Sequence, residues 1–308
     1  MDIQQIISAP VFLIAIPVFF LFIAIELVAV RYFKAQGSLH AKDDTVSISM
    51  GLISVPANAA AAFLTVAMLY WAQNYQVTAL PISIATLVVC FVLDDLRYYL
   101  HHRIAHRCRW PWAMHVIHHS SQRFSFAVAL RQGWTKHFTG TTLLKVPLVL
   151  IGFDPLMVIF CGAINAVYQF FLHTETVDKM PRWFEAVFNT PSHHRVHHGK
   201  NPQYLDSNYA GTLIIWDRLF NTFSAEDPSD RPNYGLIKDV ETFNPFWIFI
   251  HEYLGIVKDA TQKGLTIKQR LLYILAPPGW SHDGSRQSSD DIKRAAGILP
   301  AFKQHPAE

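Results

Sequence analysis

Residues 6–30 read IISAPVFLIAIPVFFLFIAIELVAV, an apolar run broken only by Ser8 and Glu26. At a rise of about 1.5 Å per residue such a run can cross a hydrocarbon core of about 30 Å. A transmembrane helix is expected over Ile6–Val30. The rival is a cleaved signal peptide, but the preceding MDIQQ has no positive residue and no small-residue cleavage site follows. Working outward, Val46–Trp71 is a second apolar stretch, rich in Ala and Ser, and Val77–Leu93 is a third without a single charged residue. Phe138–Leu172 is apolar again, interrupted by Lys145, Pro147, Gly152, Asp154 and Pro155. Its arms are short for full spans, so it reads as a re-entrant hairpin or two tilted helices meeting at GFDP. Composition agrees: of 308 residues 51% are hydrophobic and 16% charged, against roughly 25% charged in typical soluble domains.

Arg31, Lys34 and Lys42 follow the first span, and Arg97, Arg103, Arg107 and Arg109 follow the third, whereas the loop at Gln73–Gln76 has no Lys or Arg. By the positive-inside rule the two basic sides are cytoplasmic. Beyond residue 173 the composition is that of a soluble domain, with turn signals at NTPSHH, KNPQYLDSN and AEDPSDRPN. Phe243–Tyr253 reads as an interfacial helix, Leu271–Trp280 as a shorter one, and the tail from His282 as polar and loosely ordered. No internal repeat or strand pattern is present. The expected fold is an all-α integral membrane protein of about four transmembrane or re-entrant helical segments with a cytoplasmic, helical, histidine-rich di-metal domain. Its expected divisions are 1–78 (membrane helices), 79–255 (catalytic unit) and 256–308 (interfacial segment and polar tail). A net charge of +3 gives no reason to expect nucleic acid, and Cys90, Cys108 and Cys161 are too scattered for a disulfide framework or CxxC metal site.

Histidine is the anomaly: 16 residues, 12 of them between His101 and His198. Three clusters have metal-ligand spacing: His102 with His106, His115 with His118 and His119, and His194 with His197 and His198. Residues three and four apart on a helix share a face, so each cluster can aim imidazoles at one point. Eight imidazoles exceed what one ion needs, which points to two ions, and ligand type alone allows iron, zinc, copper or nickel. His40, His251, His282 and His305 are isolated and read as surface or hydrogen-bonded residues, and His137 as interfacial. Asp95 and Asp94 lie about two turns before His102, where a carboxylate can accept a free ring N–H or simply balance Arg97 and Arg103. Glu175, two residues after His173, is a candidate ligand or base.

The run DDLRYYLHHRIAH (94–106), CRWPWAMHVIHHSSQRFSFAVALRQ (108–132), NAVYQFFLHTE (165–175), NTPSHHRVHHGKN (189–201) and NYAGTLIIWDRLFNTF (208–223) resembles the fatty acid hydroxylase and sterol desaturase superfamily. Within it, the ether-lipid monooxygenases are most alike. The resemblance implies a membrane-embedded enzyme with two iron ions that uses O2 to hydroxylate a lipid C–H bond. It implies that His102, His106, His115, His118, His119, His173, His194, His197 and His198 are the metal-binding, catalytic residues. His193, Gln169, Asp95 and Glu175 would stand beside them, Gln169 where many fatty acid hydroxylases have another histidine. His101 is left out of the set. The reductant implied is tetrahydrobiopterin or a separate electron carrier, and the partners are the bilayer and a lipid substrate. Ether-lipid cleavage to an aldehyde is the first expectation; hydroxylation or desaturation of a sterol, carotenoid or fatty acyl chain is the second. A zinc-dependent membrane hydrolase using Glu175 as base, or a metal carrier, would keep the histidines but leave the excess of ligands unused.

Overall fold

The computed structural model describes residues 3–300. Pro10 separates a short α1 (Ile3–Ile7) from α2 (Val11–Phe33), so the expected first span begins at Val11. The second, α3 (Ala41–Gln73), is capped by His40, whose Nδ1 accepts from the Asp43 N–H. These two helices are long and apolar enough to cross a membrane. Little of either is buried, and side chains such as Leu13 and Phe63 stand 70% and 63% exposed. So large an apolar surface is suited to lipid rather than water, as in a membrane protein.

The stretch Val77–Leu93 is not a helix of its own. Residues 77–80 run beside the turn at 150–152, with Val77 N–H donating to Leu150 O and Leu80 N–H to Gly152 O. Gly152 is required there: its φ is +124°, and a Cβ would lie 2.7 Å from Thr78 O. A Ser83–Thr86 capping box then starts α4 (Ile84–Arg107). The apolar part of α4, residues 84–93, rises only about 15 Å, half of a hydrocarbon core. It packs instead against α7 (Val146–Leu150) and α8 (Pro155–Phe170), burying Cys90, Leu148, Val149, Met157 and Cys161 with Leu69 of α3. The interrupted stretch thus forms two helices, both shorter than a span, that meet at a turn before the Asp154 cap of α8.

Between these elements, α5 (Arg109–His119) and α6 (Phe126–Ala129) fold under the long helices. Glu26, the polar exception in α2, is buried and faces inward, accepting from Phe126 N–H at 2.8 Å and from the Thr174 hydroxyl. Gly51 brings α3 against the end of α6: a Cβ there would lie 2.7 Å from Leu130 O. Alanine would normally gain about 1 kcal/mol in a helix, but overpacking against main chain costs about 1–3 kcal/mol. Gly51→Ala is expected to lower the thermal midpoint of the purified protein, and a raised midpoint would contradict this packing.

The remainder is short helices: α9 (Arg182–Val187), α10 (Pro191–His197) and α11 (Ile215–Leu219), then α12 (Pro245–Ala260), α13 (Ile267–Leu275) and α14 (Ser289–Ala295). No strand forms among the described residues; two isolated bridges, Phe188 to Leu213 and Gly199 to Tyr234, tie the loops. The expected interfacial segment is α12, which buries Ile248 against Val46, Met50, Val116 and Ile117 and leaves Phe246, Trp247 and Val257 exposed. The tail after His282 is more ordered than its composition implies. Ser288 caps α14, Asp290 pairs with Arg107 at 2.6 Å, and Arg286 pairs with Asp259 at 2.6 Å. His305 lies outside the described residues.

Candidate metal centre

The last turns of α4 carry His102 and His106 on one face. Cys108, a single extended residue (φ −132°, ψ 125°), ends α4 and caps α5, so the chain reverses and brings His115, His118 and His119 back against the first pair. His173 follows the end of α8, and α10 presents His194 and His197 with His198 at its C-cap. The nine histidines sort into two groups. His102, His106, His115, His119 and His197 form one; His118, His173, His194 and His198 form the other. Within each, one ring nitrogen per residue lies within 4.8 Å of all the others. The groups share a wall, with the His119 and His198 rings stacked 4.3 Å apart and those of His197 and His194 5.2 Å apart.

The outward nitrogens fix several tautomers. Nδ1–H of His102 donates to Tyr209 O (2.8 Å), that of His197 to Ser207 O (2.9 Å) and that of His173 to Gln169 O (2.8 Å). A carbonyl only accepts, so in the neutral ring each Nε2 keeps its lone pair and faces the centre. There His102 and His119 Nε2 approach His115 Nε2 at 2.8 and 3.1 Å, and His118 and His194 Nε2 approach His173 Nε2 at 3.0 Å each. Nε2 of His106, His197 and His198 is buried with no hydrogen-bond partner. Burial, reinforced by neighbouring imidazoles, pushes His102, His115, His118, His119, His194, His197 and His198 well below the usual histidine range, and burial lowers His173 to about 4. Neutral, converging imidazoles, three of them with an inward Nε2 that has no partner, are what a pair of nitrogen-loving cations would satisfy, so the residues fit two metal ions.

The flanking candidates lie elsewhere. Asp95 does not reach a histidine: it accepts from Thr212 N–H (2.8 Å), Leu213 N–H (2.9 Å), Trp216 Nε1–H (2.9 Å) and Asn165 Nδ2–H (2.6 Å). Its effect on the site is indirect, since Asp217 binds the N–H groups of Tyr209 and Ala210 and the two carboxylates together pin residues 209–213 behind His102. Asp94 pairs with Arg97 and Lys145. Glu175 accepts from the Tyr234 hydroxyl at 3.1 Å and belongs to neither group. His193 turns away, its Nε2 4.0 Å from Glu185 Oε2. Gln169 serves His173 through its main-chain carbonyl while its side chain binds Asn165. His137 meets Thr65, and His101 stacks on Tyr98 outside both groups.

One residue the sequence did not single out stands closer. Asp206 Oδ1 is 3.6 Å from His106 Nδ1, and its carboxylate is held by Arg107 at 2.8 Å. Asp206 and Asn208 occupy left-handed backbone (φ 52° and 55°), which Asp and Asn tolerate better than other side chains. The turn-rich KNPQYLDSN segment signalled that bend, though not its destination under the histidines.

A model of the fatty acid hydroxylase family matches residues 87–222, which include all nine histidines. Alkylglycerol monooxygenase of Caenorhabditis elegans is 36% identical over 251 residues, 77% of this chain and 48% of that protein. The Homo sapiens alkylglycerol monooxygenase is 36% identical over 244 residues, 79% of this chain and 54% of its own length. The ornithine lipid hydroxylase OlsE of Rhizobium tropici is 31% identical over 136 residues, 44% of this chain and 41% of that one. The chain spans about half the length of the alkylglycerol monooxygenases it matches. No solved structure matches it significantly. The paired histidine groups thus lie inside the segment that matches the fatty acid hydroxylase family model, and the chain is similar to the alkylglycerol monooxygenases over 77–79% of its own length.

Proposed function

We propose that the protein is a multi-pass membrane monooxygenase whose nine histidines hold two iron ions and which hydroxylates a lipid C–H bond with O2. The division into five and four converging imidazoles carries this reading, because one ion would leave about half of them unused. Iron bound there would supply the O2-activating chemistry. The preferred substrate is an alkylglycerol. Hydroxylation of the carbon beside its ether oxygen consumes O2, two electrons and two protons and yields water and a hemiacetal, which collapses to an aldehyde and an alcohol. The chain's own part is to bind, orient and exclude water. The main-chain carbonyls of Tyr209, Ser207 and Gln169 hold their imidazoles in one tautomer, and Asp206 steadies His106. The apolar helices α2 and α3 would keep the histidines at the cytoplasmic side of the bilayer, where tetrahydrobiopterin or a separate carrier delivers electrons.

The likeness to an ornithine lipid hydroxylase favours a second reading, hydroxylation of another membrane lipid without cleavage. The zinc hydrolase is disfavoured because Glu175, its proposed base, is committed to Tyr234. Iron-loaded protein in nanodiscs, given an alkylglycerol and tetrahydrobiopterin, is expected to consume O2 and release aldehyde. Hydroxylated lipid without aldehyde would favour the second reading; bound iron with no O2 uptake under any reductant or lipid would overturn both.

A further inference from the structure

Beside α10, on the side to which His193 turns, α9 and residues 218–226 enclose a cleft of about 440 Å3. Its lining includes Lys179, Arg182, Glu185, His193, Arg218 and Phe223, with Glu226. The two carboxylates are engaged. Glu185 accepts from the Ser192 hydroxyl (2.7 Å), the Thr190 hydroxyl (3.2 Å) and Met180 N–H (3.1 Å), and Glu226 pairs with Arg195 at 2.7 Å. The cations are not neutralised. Lys179 and Arg218 reach only main-chain carbonyls, those of Glu226 (3.3 Å) and Glu185 (3.2 Å), and neither they nor Arg182 form an ion pair among the described residues. The Arg218 guanidinium carbon lies 3.8 Å from the centre of the Phe223 ring, and the N–H groups not spent on the Glu185 carbonyl remain for an oxyanion. His193, 3% exposed, keeps an Nδ1 with no partner. Trp183 (71% exposed) follows Arg182 in the chain, and Leu219 (66%) and Phe220 (40%) follow Arg218.

We propose that this cleft binds a phosphate-class anion, either the head group of an anionic phospholipid or free phosphate, through Lys179, Arg182 and Arg218 with His193 at its floor. Three unpaired cations around two committed carboxylates leave a positive excess, and charge-assisted bonds to a tetrahedral oxyanion use it directly. The exposed Trp and Leu beside them match the mixed aromatic, aliphatic and basic character of a surface at head-group depth. The assignment needs neither iron nor hydroxylation and stands apart from the oxygenase reading.

The test uses the full chain in detergent, with Lys179→Gln/Arg182→Gln as the variant and Lys263→Gln/Lys268→Gln, an exposed pair of equal charge on the α13 side, as control. Native mass spectrometry follows retention of phosphatidylglycerol against phosphatidylcholine, and phosphorus NMR follows titration with inorganic phosphate. The expected result is binding that falls at least roughly tenfold in the variant and is unchanged in the control. Selective retention of phosphatidylglycerol identifies the lipid source; phosphate binding without lipid preference identifies the free anion. No binding of either, or equal losses in variant and control, overturns the proposal. Circular dichroism of the variant, altered only at two exposed side chains, checks that the fold is retained.

Discussion

His194→Ala is expected to leave the chain folded with one bound iron instead of two and to reduce turnover more than about a thousandfold, since even residues that merely orient a ligand cost about 10–100-fold. The two groups should respond unequally. His194 belongs to the set of four, which falls to three imidazoles when it is lost. His106 belongs to the set of five, so His106→Ala still leaves four and should retain close to two irons at saturating metal, with weaker affinity and lower activity. His101→Ala, one residue from His102 yet outside both groups, should keep both ions. Metal analysis by mass spectrometry, alongside product formation, separates these outcomes. Two irons and full activity in His194→Ala would remove the ligand assignment.

The second large effect concerns stability. Asp95 is fully buried and satisfies four donors from three parts of the chain. Asp95→Ala leaves those donors unpaired in a site that water does not reach, at a cost of about 3–5 kcal/mol. The thermal midpoint should fall by many degrees, and metal should be lost from the five-histidine group because residues 209–213 no longer fix the carbonyl that holds His102. Asp95→Asn, which keeps one acceptor oxygen and the shape, should recover part of the midpoint. An unchanged midpoint in Asp95→Ala would mean that these hydrogen bonds are not made.

What could be read from the sequence was what local spacing encodes. His102 and His106, or His194 and His198, share a helical face wherever the helix goes, so the ligand candidates were visible in one dimension. Which of them meet was not. His118 and His119 are adjacent in sequence and fall into different groups, because successive helical positions diverge by about 100° and only the packing of α5 between α4 and α10 sets which side each faces. Asp95 failed as a histidine partner for a similar reason: its donors at residues 212–216 lie more than a hundred positions away, beyond any periodicity. Hydrophobicity also misplaced a boundary. The apolar run from Val77 suggested a span, whereas the local capping signal at Ser83–Thr86 marked the true start of α4. In the tail, whose polarity alone implied disorder, the structure shows the same kind of cap at the start of α14, where Ser288 and Asp291 form a capping box.

The single extended residue at Cys108 makes the distance from His106 to His115 a fixed length. One residue added within α5 before His115 would turn its histidines about 100° relative to α4, carrying His115 and His119 away from His102 and His106. Evolutionary lengthening of this chain must therefore be channelled elsewhere, into connections such as 225–243 that bear no ligand. The corner at Cys108 is the ruler against which the whole centre is cut.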